Sequence, residues 1–287
     1  MDPRPIELRN AVMRRIRAFF HARGFLEVET PIILSTPCME EHIDAIACEG
    51  GYLRTSPEIS HKKLLAAGFD RIFEIGKCFR KGERGRLHHP EYTMLEWYRT
   101  GADYRDILRE TRELLEAVWP ERKLTWTEWT VSEAFRRFAG WDPVAAFDAH
   151  RFDLDLLEKI EPEIRRTGGA VVLLDYPAEA AALSRLKPGE PAVAERWELY
   201  LDGIELANAY SELTDADEQR SRFERWAERR AAEGREVYPI DEAFLSAVGS
   251  MPPAGGAALG IDRLLLCMSG AKSLDEIVPF RRPEEKS

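Results

Sequence analysis

Leu8, Val12, Ile16, Phe19 and Phe20 recur every three to four positions between residues 6 and 23, with charged residues between them and Gly24 behind them. That spacing predicts an amphipathic helix with one apolar stripe and a glycine stop. Phe25-Leu-Glu-Val-Glu-Thr30 reads as a strand closed by Pro31. A short helix is predicted over 59–67, ended by Gly68, and a strand over 72–79. Lys81 to Pro90 is a polar loop rich in Gly, Arg and His. In the strand predicted over 92–99, the two-residue period puts Tyr92, Met94, Glu96 and Tyr98 on one face. Asp103 is the expected cap of a helix running to Trp119.

The stretch 120–190 gives mixed signals, with loops expected at Pro177 and at Lys187-Pro-Gly-Glu-Pro191. Glu195–Leu201 and Ile204–Tyr210 alternate cleanly about Asp202-Gly203, a hairpin turn signal. Strict alternation would place Glu205, Ala207 and Ala209 on one face. Asp215 opens a charged helix ending near Gly234, and a Gly/Ala-rich strand, Gly255–Gly260, leads into a helix over Ile261–Ser269. No internal repeat, βαβ series, P-loop or G-x-G-x-x-G element is visible. The predicted class is α+β, built on an antiparallel sheet flanked by helices.

Composition narrows the function. The 287 residues are 44% hydrophobic and 32% charged, enough for an ample core. No apolar run approaches the ~20 residues of a membrane span. The first residues lack the apolar stretch of a signal peptide, so a cytoplasmic protein with no membrane partner is expected. Cys38, Cys48, Cys78 and Cys267 have no C-x-x-C spacing. Reduced thiols are expected, and a zinc site is not. The net charge of −10 argues against an extended grip on nucleic acid. Between Arg71 and Arg99, however, seven basic residues outnumber four acidic ones, which suits a polyphosphate ligand.

Three segments carry the candidate chemistry. They are Gly24-Phe-Leu-Glu-Val-Glu-Thr-Pro31; Cys78-Phe-Arg-Lys81 followed by His88-His-Pro-Glu-Tyr-Thr-Met-Leu-Glu-Trp-Tyr98; and Ala258-Leu-Gly-Ile-Asp-Arg-Leu264. Their order and spacing resemble motifs 1, 2 and 3 of class II aminoacyl-tRNA synthetases. With Thr55-Ser-Pro-Glu58 and Gly203-Ile-Glu-Leu-Ala-Asn-Ala-Tyr-Ser-Glu-Leu-Thr-Asp215, the chain looks like the catalytic half of a lysyl-tRNA synthetase, without the anticodon-reading OB-fold. A freestanding catalytic domain of this size, here 1–287, is similar to the elongation factor P–lysine ligase family. That resemblance implies ATP-dependent activation of lysine or (R)-β-lysine and transfer to a lysine side chain of elongation factor P. It also implies Mg²⁺, a homodimer through the motif 1 helix, and no stable tRNA binding. A lysyl-tRNA synthetase-like enzyme with another acceptor, or a non-catalytic amino-acid sensor, are the alternatives.

The resemblance also assigns residues. Arg80 is the α-phosphate residue, its planar fork suited to two charge-assisted bonds. Arg263 and Tyr92 are expected to stack on the two faces of adenine. Lys81, Gly82, His88, His89, Leu206 and Gly260 complete the ATP side, and Gly260 permits close backbone approach. Glu205 and Glu212 are expected to hold Mg²⁺ with the phosphates. Ser56, Pro57, Glu58, Glu96, Tyr98, Asn208, Glu212 and Ala258 make the amino-acid pocket. Glu96 and Tyr98 would meet the distal amine, and Glu58 the amine near the carboxylate. Three positions depart from the family. Gly82 replaces a Glu that Glu83 could supply, His89 replaces Asn, and Ala258 replaces Gly, which hints at a β-amino acid.

Overall fold

The computed structural model describes residues 2–280. The first apolar stripe folds as α1 (Arg4–His21), burying Val12, Ile16, Phe19 and Phe20. The chain turns at Gly24 (φ 74°) into β1 (Leu26–Glu27), shorter than the strand expected over 25–30. β2 (Ile33–Leu34), β3 (Ile46–Cys48) and β4 (Gly51–Leu53) form a separate small sheet before α2 (Glu58–Ala66). The long strands β5 (Arg71–Phe79) and β6 (Glu91–Thr100) follow, and then α3 (Tyr104–Val118). Asp103 caps α3 as expected: its carboxylate accepts from the N–H groups of Arg105 and Asp106, and Asp106 accepts from the N–H of Asp103.

The unreadable stretch resolves into β7 (Trp126–Thr130), α4 (Val131–Phe138), α5 (Ala149–Asp155), α6 (Glu161–Thr167), β8 (Ala170–Pro177) and β9 (Leu186–Lys187). β8 is buried along its whole length. A strand covered on both faces reads as a continuous apolar run, so it has no alternation to recognise. The chain ends with β10 (Glu190–Leu201), β11 (Ile204–Ser211), α7 (Ala216–Ala232), α8 (Glu242–Ser250), β12 (Ala254–Gly260) and α9 (Ile261–Ser269).

The main sheet runs β1-β5-β6-β12-β11-β10-β8-β7, with β9 on β10. Its centre is antiparallel, and only the outer pairs β1–β5 and β7–β8 are parallel. One face meets α1, α3 and α9 in the main core, to which β6 gives Leu95 and Trp97, β12 gives Ala257 and Leu259, and β10 gives Trp197 and Leu199. The opposite face is closed at its two ends by smaller cores, around Phe135 and Tyr176 on one side and Phe244 and Phe223 on the other. Between them the central strands line a cavity.

The hairpin corrects one expectation. Leu199 pairs with Ala207, but Tyr200 pairs with Glu205, so Leu206 is an extra residue in β11. This bulge reverses the phase of alternation. Ala207 and Ala209 face the core, whereas Glu205 turns to the cavity with Asn208 and Tyr210. Replacing Asp103 with Ala should cost about 1 kcal/mol through loss of the cap. The melting temperature should then fall by roughly 2–4 °C, read by circular dichroism.

Candidate active site

The strand registers align the site. Glu74, Glu96, Ala258, Asn208 and Glu198 are successive cross-strand neighbours from β5 through β6, β12 and β11 to β10. Tyr98, Gly256, Tyr210 and Arg196 form the adjacent row. Gly256 is required there, because a Cβ would lie 2.3 Å from the Tyr98 ring and 2.7 Å from Glu212 Oε1. A cavity of about 490 Å³ stands over both rows from β6 to β10, with Glu74 beneath its edge.

At one end lies an acidic floor. Lys62 of α2, fully buried, places Nζ 2.7 Å from Glu58 Oε1 and 2.7 Å from Glu212 Oε2. These are charge contacts without hydrogen-bond geometry. Burial works against the ammonium, but Glu212 and Glu58 together hold its pKa above the usual lysine value. Burial pushes Glu212 up to about 8 despite Lys62, with Glu58 and Glu96 adding repulsion. One cation is too few for this group of carboxylates. Tyr98 donates to Glu96 Oε2 at 3.0 Å, while Glu96 Oε1 and Glu212 Oε1 are buried with no hydrogen-bond partner. Orphaned carboxylate oxygens on a cavity wall are costly unless a donor meets them, and an ammonium is the fitting donor.

The other end holds arginines among further carboxylates. Arg80, at the exit of β5, lies over the Tyr92 ring at 5.3 Å, and the Tyr92 hydroxyl donates to Thr55 O at 2.8 Å. Burial opposes the Arg80 charge, yet Tyr92, Glu40 and Glu83 around it keep its pKa above the ordinary arginine value. Arg263, in the first turn of α9, donates from Nη1 to Glu205 O at 2.8 Å and Oε2 at 3.0 Å, and from Nη2 to His88 Nε2 at 2.7 Å. Burial and the neighbouring Arg263 charge lower the His88 pKa, so a neutral acceptor faces that donor. Arg80 and Arg263 thus form a pair of guanidinium groups along one wall, suited to anionic oxygens.

Most of the expected site residues meet here. Ser56, Glu58, Arg80, His88, His89, Tyr92, Glu96, Tyr98, Glu205, Leu206, Asn208, Glu212, Ala258, Gly260 and Arg263 all line the cavity. Ala258 stands between Glu96 and Asn208, in the middle of the first row. Three residues do not line it. Pro57 is the cap of α2. Lys81 is exposed, its N–H bonded to Asp44 O, and Gly82 is an exposed turn residue at φ 77°. Glu83 does reach the wall, 3.6 Å from Arg80.

The two expected metal ligands have different partners: Glu205 meets Arg263, and Glu212 meets Lys62. Glu212 belongs to the floor with Lys62. The carboxylate that shares the Glu205 end is Glu198 on β10, held by Arg196 at 2.5 Å and Tyr200 at 2.8 Å. Burial, and then repulsion from Glu205 and Glu198, raises the pKa of nearby Glu161. Among the described residues no three His, Cys, Asp or Glu side chains form a metal cage. Two carboxylates with phosphate oxygens nonetheless suit Mg²⁺, which is commonly held that way.

Sequence reasoning missed Lys62, His61, Glu40, Arg196 and Glu198. The i,i+4 spacing of Glu58 and Lys62 was a readable signal, and alternation on β10 could have placed Arg196 and Glu198 on one face.

Residues 3–284 match the family model described as tRNA synthetases class II (D, K and N). The chain is similar to the elongation factor P–(R)-β-lysine ligase of Erwinia tasmaniensis, 38% identical over 95% of this chain and 93% of the relative. It is 37% identical, over the same shares, to the ligases so named from Klebsiella pneumoniae subsp. pneumoniae and Photorhabdus laumondii.

Substituting Lys62 with Met should destabilise the protein by about 3–5 kcal/mol in chemical denaturation, because two buried carboxylates lose their counter-ion. Adding Glu212→Gln should restore part of that loss; a strictly additive double variant would sever the pair.

Proposed function

The chain belongs to the class II tRNA synthetase family, with the elongation factor P–(R)-β-lysine ligases, and on that premise we propose that it activates (R)-β-lysine with ATP and ligates it to a lysine side chain of elongation factor P. The observation that carries the substrate class is the acidic floor: buried carboxylates outnumber their cations, and two cavity-lining residues, Glu96 and Glu212, each keep a buried oxygen with no hydrogen-bond partner. A diamino acid brings two ammonium groups to such a floor.

In the first step the substrate carboxylate attacks the α-phosphate of ATP in line, giving an aminoacyl-adenylate, and pyrophosphate leaves. Arg80 stabilises charge where it develops on the α-phosphate. Arg263 and Tyr92 bracket the base, and Glu83 takes the place that Gly82 cannot fill. Bound Mg²⁺ would neutralise phosphate charge, with Glu205 and Glu198 as its holders. Glu96, Tyr98 and Glu212 take the distal ammonium, Glu58 the nearer one, and Ser56, Asn208 and Ala258 shape the space between. In the second step the ε-amine of the acceptor lysine attacks the adenylate carbonyl and AMP departs. A cytoplasmic homodimer joined through α1, each copy one catalytic domain with no stable hold on tRNA, completes the reading. Among the described residues no helix is long and apolar enough to cross a membrane.

Pyrophosphate exchange into ATP, run with (R)-β-lysine and L-α-lysine side by side, tests the proposal. Exchange should favour the β isomer, and mass spectrometry should then find the adduct on elongation factor P; exchange with neither diamino acid would refute the reading. Arg80→Ala should lower exchange by about 10²–10³-fold. Ala258→Gly, which removes one methyl between Glu96 and Asn208, should move the β-to-α ratio toward α-lysine by roughly tenfold or more; an unchanged ratio would remove Ala258 from the specificity argument.

A further inference from the structure

Beneath the acidic floor lies a group that the proposed reaction leaves unused. His61 of α2 is fully buried. Its Nε2 lies 3.0 Å from Glu74 Oε2, and its Nδ1 lies 3.8 Å from Glu96 Oε2. The second distance is too long for a hydrogen bond, so Nδ1 is a buried ring nitrogen with no hydrogen-bond partner. The ring edge meets Tyr98, with centroids 5.3 Å apart. Glu74 is itself held by Arg54 Nη1 at 2.7 Å and by the Thr30 hydroxyl at 2.7 Å. Arg54 enters through a gap kept open by Gly76, where a Cβ would lie 2.0 Å from Arg54 Nη2. The result is a buried series, Arg54–Glu74–His61–Glu96–Tyr98, that ends at the cavity wall.

Charge balance gives this series a role. Four carboxyl groups, Glu58, Glu74, Glu96 and Glu212, face two permanent cations, Arg54 and Lys62, and burial offsets part of the imbalance by favouring protonated Glu58 and Glu212. A substrate with two ammonium groups supplies the missing pair. Before it arrives, the imidazole is the remaining group that can carry positive charge beside Glu96. Once an ammonium reaches Glu96, an imidazolium at Nδ1 would be a like charge in the same buried space, which is strongly disfavoured.

We infer that His61 is a stand-in counter-ion for Glu96, protonated when the pocket lacks substrate and surrendering its proton to solvent as the substrate's ammonium takes its place. Burial alone would lower the His61 pKa, but Glu74 and Glu96 outweigh it and raise the value above that of an ordinary histidine. The sign follows. Below that raised pKa the proton competes with the substrate, so affinity falls as pH falls; above it the competition ends. The groups facing the ring are Glu74 on β5, Glu96 and Tyr98 on β6, and, through those carboxylates, Arg54, with Glu58 and Lys62 on its own helix. His61 is a positioning residue in this account, since it acts through Glu96 and touches no reacting atom.

The inference rests on the amine-binding reading above, and calorimetry separates the two. Titrations of L-lysine and (R)-β-lysine, in buffers of different ionisation enthalpy between pH 6 and 8, count the protons released per ligand bound. Glu58 and Glu212 also lose protons when a cation arrives, so the comparison is between the wild type and His61→Gln, which keeps a polar group but takes no proton. The wild type should release up to about one proton more than the variant, and its affinity should rise with pH toward tenfold per unit, more steeply than the variant's. Equal release by both proteins, or no release by the wild type, would overturn the inference and leave amine recognition standing. No binding of either diamino acid by the wild type would overturn the functional reading and this inference with it.

Discussion

A lysine ammonium with no exposure to water sits between two carboxylates from distant parts of the chain, Glu58 at the start of α2 and Glu212 just beyond β11. Without that cation the carboxylates would not tolerate burial, and α2 would not lie against the end of β11 as it does. The same contact leaves Glu212 facing the Tyr98 ring across Gly256, and so fixes the wall on which amine recognition depends. Lys62 does not satisfy the charge it is set against. That shortfall makes the floor an acceptor of further positive charge.

The cavity is polarised along the strands. Its acidic end gathers at Glu58, Glu96 and Glu212, and its arginine wall at Arg80 and Arg263. An amino acid lying between them would have its ammonium groups drawn one way and its carboxylate the other. The sheet rows give this arrangement rigidity, since successive strands hold Glu96, Ala258, Asn208 and Glu198 in register.

Much of this was legible in the sequence. The phase of β6, which puts Tyr92, Glu96 and Tyr98 on one face, follows from alternation alone, and the Asp103 cap and the Asp202-Gly203 turn were each signalled by residue type. The rest was hidden for physical reasons. β8 is covered on both sides, so it carries no pattern. The Leu206 bulge has no compositional mark, so the facing of Glu205 was misread. Spacing along a strand does not reveal which carboxylate on the next strand is its neighbour, so Glu198 went unnoticed. Buried charges such as Lys62 and His61 look like solvated helix residues until the surface that covers them is known.

The Leu206 bulge also governs how β11 tolerates change. From Ala207 to Ser211 the odd positions serve the core and the even ones serve the cavity; beyond the bulge, toward the turn, Glu205 breaks that rule. A residue-by-residue substitution map of this strand would alternate between losses of stability and losses of activity, and then skip a beat at Leu206. Deleting Leu206 would leave every neighbouring side chain chemically intact. It would still turn Glu205 inward among apolar side chains and take a carboxylate from the phosphate end of the cavity, so a single missing residue would act at once as a core lesion and an active-site lesion.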